Sequence, residues 1–464
     1  MSHAWMLVPA KTTPPLDPDF CPPVLAHRTY LQAVKESGAA TPLRIALERA
    51  DGSISQFDTI VFSEDHPQAE ANNFYAERLI KFLLWQCGGY RVYVGGPPSL
   101  GAHIQACYHS DGMRKFDYHF MGESVYEQSF SVVPCTPEET PAANESSMPL
   151  GRHLEGCRVG FDLGASDRKV SAVIDGEPVY SEEVEWAPGK NSDPAYHYNE
   201  VMTAIKTAAA KMPRLDAVGG SAAGVYVNNR AMVASLFRAV PKESFADVHD
   251  MFTRIGKELN TPLVIVNDGE VTALAGSMSL EDNGVLGIAL GSSEAGGYVN
   301  LDGNITGWLN ELAFCPVDYN PASPVDEWSG DYGIGALYFS QQCVFRLAPK
   351  AGITLPQDAT PAEKLCLVQE KLESGDDGAR KIWETMGVYM GYTLAHYADF
   401  YDVRHVLILG RCTSGSGGDI ILEGANTILR DEFPELAASI RVQLPDEKSR
   451  RVGQSIAAAS LPRL

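Results

Sequence analysis

The 464-residue sequence has no C-x-x-C pair, no lysine/arginine cluster and no apolar run near the length of a membrane-crossing helix, about 18 residues. Each absence removes a class of function. The nine cysteines, an odd number, stand far apart at 21, 87, 107, 135, 157, 315, 343, 366 and 412. That spacing, in a chain long enough to fold without cross-links, predicts reduced thiols in a cytoplasmic setting. It also argues against a cysteine-held iron–sulfur cluster, and so against a radical-enzyme activator. Positive charge is scarce, with 37 Lys+Arg against 59 Asp+Glu and a formal net charge of −22. Such a field repels phosphate backbones and anionic lipid, so neither a nucleic-acid partner nor a membrane is expected. The histidines show no H-E-x-x-H spacing, and no serine occupies a G-x-S-x-G elbow. His197, His249, His396 and His405 are read as core or surface residues. The first residues lack the basic-then-apolar layout of a signal peptide.

What remains is globular material: 45% hydrophobic and 21% charged residues, with a length that predicts two or three domains. Residues 134–149, rich in Pro, Glu, Ser and Thr, read as a linker and close a first α/β region at about 150. Within that region 73–85 carries helical apolar spacing and 90–94 reads as a strand, followed by the turn Gly95-Gly96-Pro97-Pro98. Beyond it, strands are expected at 159–162 and 170–174. Asp175-Gly176 then forms a type I′ turn into a returning strand at 178–184. A helix at 198–211 and a strand at 215–218 follow, then a strand at 263–266, a small-residue helix at 271–278 and a strand at 285–289. After these come a hairpin at 298–304 around Asp302-Gly303, a strand at 406–409, a glycine-rich loop at 410–418 and helices at 420–429 and 453–461.

One motif occurs twice. Asp162-Leu163-Gly164-Ala165-Ser166 and Ala289-Leu290-Gly291-Ser292-Ser293 each lie between two strands, roughly 127 residues apart, which suggests two similar lobes. Small residues at such turns let backbone N–H groups approach phosphate oxygens, and the serine hydroxyls add donors. Asp162 ends a buried strand, where an unpaired carboxylate is costly; it either pairs structurally or serves a metal–phosphate site. Asp268 follows the 263–266 strand, where α/β active sites are found, and can serve there as a general base. Judged by position alone, the simpler role of helix N-cap weighs more. Residues 410–418 contain no Gly-Lys-Ser/Thr, and no G-x-G-x-x-G with a following acid occurs, so P-loop and dinucleotide readings fall away.

In this order the pieces resemble the actin/hexokinase/Hsp70-type ATPase fold, and more closely the ROK family of bacterial sugar kinases and repressors, over about residues 157–464. VGFDLGAS (159–166) resembles the family's first phosphate loop, VIVNDGEVTALAG (264–276) its Asn-Asp segment and GIALGSSEAGGY (287–298) its second phosphate loop. Residues 407–418 are similar to its adenosine motif and 453–461 to its terminal helix. The family's sugar signature Glu-x-Gly-His stands as Glu311-Leu312-Ala313-Phe314, keeping the Glu and losing the His. Residues 327–340 (EWSGDYGIGALYFS) fit the frame of its zinc segment and keep Gly330, Gly333 and Ser340. Glu327, Ser329 and Ile334 occupy the three cysteine positions and Ala336 that of a sugar-contacting Glu, so no structural zinc is implied. Glu294 puts a negative charge inside the second loop, where phosphates would sit.

The resemblance implies a duplicated two-lobe α/β fold, with lobe I at 151–280 plus the terminal helix 453–464, lobe II at 281–452, and residues 1–150 as an additional α/β domain. It shifts Asp268 from cap to catalytic base of an ATP- and Mg²⁺-dependent kinase for a sugar or polyol hydroxyl. Asn267, Asn310 and Glu311 would bind substrate. Gly164, Ala165, Ser166, Lys169, Gly291, Ser292, Ser293, Gly410, Gly415, Gly417 and Gly418 would hold ATP, and Asp162 would orient Mg²⁺ through water. The alternative is a non-catalytic sugar or nucleotide sensor, suggested by the lost His and Glu contacts and by Glu294. Residues 1–150 are expected to pack on this body and complete its substrate pocket or a homodimer contact, with Tyr118, His119 and Glu123 as candidates.

Overall fold

The computed structural model describes residues 3–145, 150–445 and 447–464. Four strands, β1 Ala40–Glu48, β2 Ile54–Phe62, β3 Arg91–Gly95 and β4 Ser131–Cys135, form the first sheet in the order β2-β1-β3-β4. All its pairs are antiparallel except β3–β4. The helix Ala71–Cys87 is buried at every residue from Tyr75 to Cys87, so it needs cover on all sides. It stops at Gly88, whose φ of 78° favours a residue without Cβ. The expected linker begins inside β4, and Asn144 exchanges two backbone hydrogen bonds of 2.9 Å with Ile54. Its polar and proline residues therefore lie along the sheet rather than forming a free tether. Residues 146–149 of that segment lie outside the described residues.

Lobe I contains β5 Cys157–Leu163, β6 Asp167–Ile174, β7 Glu177–Glu185, β8 Ala217–Ala222, a small hairpin of β9 Val225–Val227 and β10 Arg230–Val233, and β11 Leu263–Asn267. Its sheet runs β11-β8-β5-β6-β7. The β5–β6 and β6–β7 pairs are antiparallel, while β8 and β11 run parallel to β5. Asp175 and Gly176 have φ of 48° and 87°, the two positive values that a type I′ turn requires. Lobe II contains β12 Val285–Leu290, β13 Glu294–Val299, β14 His405–Leu409 and β15 Arg441–Gln443, in the order β13-β12-β14-β15. That order and its strand directions repeat β6-β5-β8-β11. At the place of β7 the second lobe has, among the described residues, a single bridge between Val299 and Ile305. The motif read twice in the sequence is thus a duplicated sheet.

The last helix, Glu447–Ala459, lies on the lobe I sheet. A Cβ on Gly160 or Gly219 would overlap its backbone at Ser455 or Ala458. The boundary expected near residue 150 does not divide the apolar cores. One cluster runs from Met6 and Trp85 to Tyr389 and Val442 in lobe II, whereas lobe I has a cluster of its own. A third, smaller cluster joins Val271 and Leu274 to Leu407 and Ala458, seating the helix Asp268–Leu280 between the lobes.

Candidate active site

The strand β11 ends on Asn267, and the helix Asp268–Leu280 starts at once. Asn267 is the cap: its Oδ1 accepts from Gly269 N at 2.7 Å, and its Nδ2 donates to the Gly224 carbonyl at 2.8 Å. Asp268 Oδ1 takes a longer 3.1 Å bond from the same N–H. The cap reading of Asp268 is therefore corrected, and the Asn267 amide is spent inside the fold. A close approach makes this possible. A Cβ on Gly269 or Gly297 would collide with backbone across the gap, so the start of this helix rests directly on β13 of lobe II.

Three half-buried carboxylates gather there. Asp162, at the end of β5, accepts from Ser221 Oγ at 2.6 Å through Oδ1 and has no other protein donor among the described residues. Burial raises its carboxyl above the usual range. Asp268 is raised to about 6, first by burial and then by the charge of Asp162. Glu311 is raised to about 7, again by burial first and then by Asp268. The set joins the two lobes and holds carboxyl groups poised near neutrality, the range in which a general base works. The free Oδ2 of Asp162 suits a hydrated divalent cation, a hard ion that prefers oxygen and keeps its waters.

Glu311 is carried by a turn that the first region clasps: Asn310 N donates to Gln86 O and Glu311 N to Trp85 O, each at 2.9 Å. The Asn310 side chain is 1% exposed. It donates to Glu270 and accepts from Tyr401 Oη at 2.9 Å, so it braces the turn instead of facing a substrate. Burial pushes Glu270 up to about 8. Neither Glu270 nor Tyr401 carried any signal in the sequence, because both meet Asn310 only through the fold.

The loops differ in openness. In the first, Gly164 N donates to Asp167 O at 2.9 Å, Trp186 Nε1 donates to Gly164 O at 2.8 Å, and Ala165 and Ser166 are exposed. Lys169 stands opposite Asp162 in the β5–β6 register, with Nζ 3.7 Å from Asp167 and 3.9 Å from Glu183. In the second, Gly291 N donates to Ser293 O at 3.0 Å and both serines are exposed. Glu294 does not occupy that open face, contrary to expectation. It is 3% exposed with its carboxylate against Gly335, and burial raises it to about 8. In the third loop Gly410 (φ 100°) abuts the Leu290 backbone, linking this loop to the second. Gly417 and Gly418 are buried against Trp383 and Thr413, whereas Gly415 is exposed beside Glu373, which accepts from Ser416 N at 2.7 Å.

The 327–340 segment is held by ion pairs. Asp331 meets Arg78 at 3.0 Å and Arg114 at 2.8 Å, with Lys81 at 3.8 Å, all buried. Glu77 pairs with Arg114, and Asp117 accepts from Lys81 at 2.5 Å and from Trp85 Nε1 at 2.6 Å. Three cations thus face three carboxylates. Tyr118, His119 and Glu123 are not part of this join, since His119 pairs with Glu123 at 2.7 Å on the surface. From the same stretch Phe116 and Phe120 turn inward instead and meet Phe314 and Trp328.

No sequence-family model and no curated protein matches the chain. Solved structures do. A ROK-family transcriptional regulator, homologue of the E. coli Mlc protein, aligns with a TM-score of 0.54 at 17% identity, over 66% of this chain and 78% of its own. The ROK hexokinase from Thermus thermophilus aligns with a TM-score of 0.51 at 15% identity, over 65% of this chain and 97% of its own. The chain has the two-lobe α/β fold of these solved structures, and residues 3–145 share an apolar core with lobe II.

Proposed function

We propose that the protein is an ATP- and Mg²⁺-dependent phosphotransferase acting on a hydroxyl of a sugar or polyol, with Asp268 as the general base. The observation that carries this reading is the release of Asp268 from capping duty, which leaves its carboxylate at the carboxyl end of β11 between Asp162 and Glu311. The acceptor hydroxyl gives its proton to Asp268 as its oxygen attacks the γ-phosphorus, and the bond to the ADP oxygen breaks. Glu311 accepts from a neighbouring acceptor hydroxyl. Asn267 and Asn310 act at one remove, holding Asp268 and the Glu311 turn. The exposed turns at Gly164-Ala165-Ser166 and Gly291-Ser292-Ser293, with Lys169, offer N–H, hydroxyl and ammonium donors to the triphosphate, and the third loop takes the adenosine. Mg²⁺ bound through water at Asp162 would offset phosphate charge.

A hexokinase of the same fold among the structural neighbours supports the reading. The rival reading, a non-catalytic sensor, draws on Phe314 and Ala336 and on the regulator of the same fold. Its third ground, Glu294, weakens because that carboxylate is buried away from the loop. The experiment is ADP release by the purified full chain with Mg²⁺–ATP and a panel of sugars and polyols. Turnover stimulated by one acceptor supports the kinase. Calorimetric binding of a sugar without turnover on any member would support the sensor.

A further inference from the structure

Trp328 is 60% exposed, unusual for so large an apolar side chain, yet its ring is not isolated. It lies 5.3 Å from the Phe314 ring, 5.4 Å from Phe116 and 5.6 Å from Phe120, centroid to centroid. Trp85 backs the cluster, 4.2 Å from Phe314. Phe314 ends the 3₁₀ turn that Glu311 opens, and its N–H donates to the Glu311 carbonyl at 3.1 Å. Residues three apart in such a turn lie one above the other. The aromatic cluster therefore reaches the same turn that carries the carboxylate assigned to the acceptor.

We propose that Phe116, Phe120, Phe314 and Trp328 form an acceptor subsite for an apolar substituent, an aryl or alkyl aglycone attached to the sugar. This deepens the kinase reading and rests on it for the role of Glu311. The chemistry of the lining selects the class. Trp328 is the exposed face of this cluster, with Phe116 half-buried and Phe120 and Phe314 buried behind it and Ala336 in the turn after Ile334; the only side-chain polar atom among the four rings is the Trp328 indole nitrogen. A sugar hydroxyl set against it would lose its water and gain no partner, which disfavours a bare polyol at this end. An aromatic or alkyl group loses nothing there and covers an exposed tryptophan. The subsite also gives the first region a share in recognition, because Phe116 and Phe120 come from it.

The test uses matched pairs of probes, the methyl and phenyl glycosides of several hexoses, binding to the full chain by calorimetry. In at least one pair the phenyl member should bind about tenfold more tightly. Trp328→Ala should abolish most of that ratio by weakening the phenyl glycoside far more than the methyl one, with the melting temperature unchanged, and Trp328→Phe should restore part of it. The proposal is overturned by equal affinities in every pair, by no binding in any pair, or by a ratio that survives Trp328→Ala. A change of oligomeric state on Trp328→Ala with the ratio unaltered would also overturn it and assign the patch to self-association. Failure of the kinase reading is distinguishable: glycosides would bind with the phenyl preference, and no acceptor would be phosphorylated.

Discussion

The backbone N–H of Glu311 donates to the carbonyl of Trp85 at 2.9 Å, across 226 positions of sequence. Trp85 lies in the last turn of the helix Ala71–Cys87, where carbonyls have no partner within the helix. The turn bearing Glu311 thus doubles as the cap of a helix from the first region. That region is part of the site's scaffold, joined to lobe II by one core.

A chain beginning near residue 150 should therefore not survive as a smaller ATP-binding body. Lobe II would expose the apolar face that now covers Trp85 and Phe82, and the truncated protein is expected in the insoluble fraction. Soluble, monomeric and cooperatively melting material from such a chain would show that the shared core is dispensable.

Asp331 anchors the 316–334 loop to three buried cations. Asp331→Asn leaves Arg78, Arg114 and Lys81 facing only Glu77 and Asp117, and breaking a buried pair in this way costs about 3–5 kcal/mol. Urea unfolding should show a loss of that size. A loss below about 1 kcal/mol would place the cluster in contact with water.

Glu294 and Glu270 are buried carboxyls raised to about 8, each chiefly by burial. A group whose folded value lies above its unfolded one adds stability below the unfolded value and loses it as pH rises through the folded value. The melting temperature should therefore fall by a few degrees between about pH 5 and pH 9. Glu294→Leu removes one of the two groups, and should flatten that slope and stabilise the protein most at the alkaline end. A slope unchanged by the substitution would mean that Glu294 is ionised in the fold.

Much of the lobe architecture was legible in the sequence because it is local. Asp175-Gly176 dictates its hairpin, and the apolar stretches at 159–162 and 285–289 are each followed by a small-residue turn. The helix Asp377–Tyr397 was not legible: it is buried continuously from Thr385 to Tyr397, so no polar face marks its period. At the site, the position of Asn267-Asp268 after a strand was readable, but the choice of cap was not, since both residue types cap well. The cover over Phe314 was also invisible, because Phe116 meets it from 198 positions away and Trp328 only through the fold of the intervening loop.

Single-turnover transfer of the γ-phosphoryl group to an acceptor that drives turnover, followed from pH 5 to pH 8 for the full chain and for Asp268→Asn, tests the central claim most directly. With the carboxyl raised to about 6, transfer by the unsubstituted chain should fall as pH drops through that value and the base takes up a proton. The Asn variant should keep its melting temperature and acceptor affinity but lose roughly 100-fold or more in rate at pH 8 and lack the fall centred near pH 6. Transfer by Asp268→Asn within a few-fold of the unsubstituted chain would contradict the account.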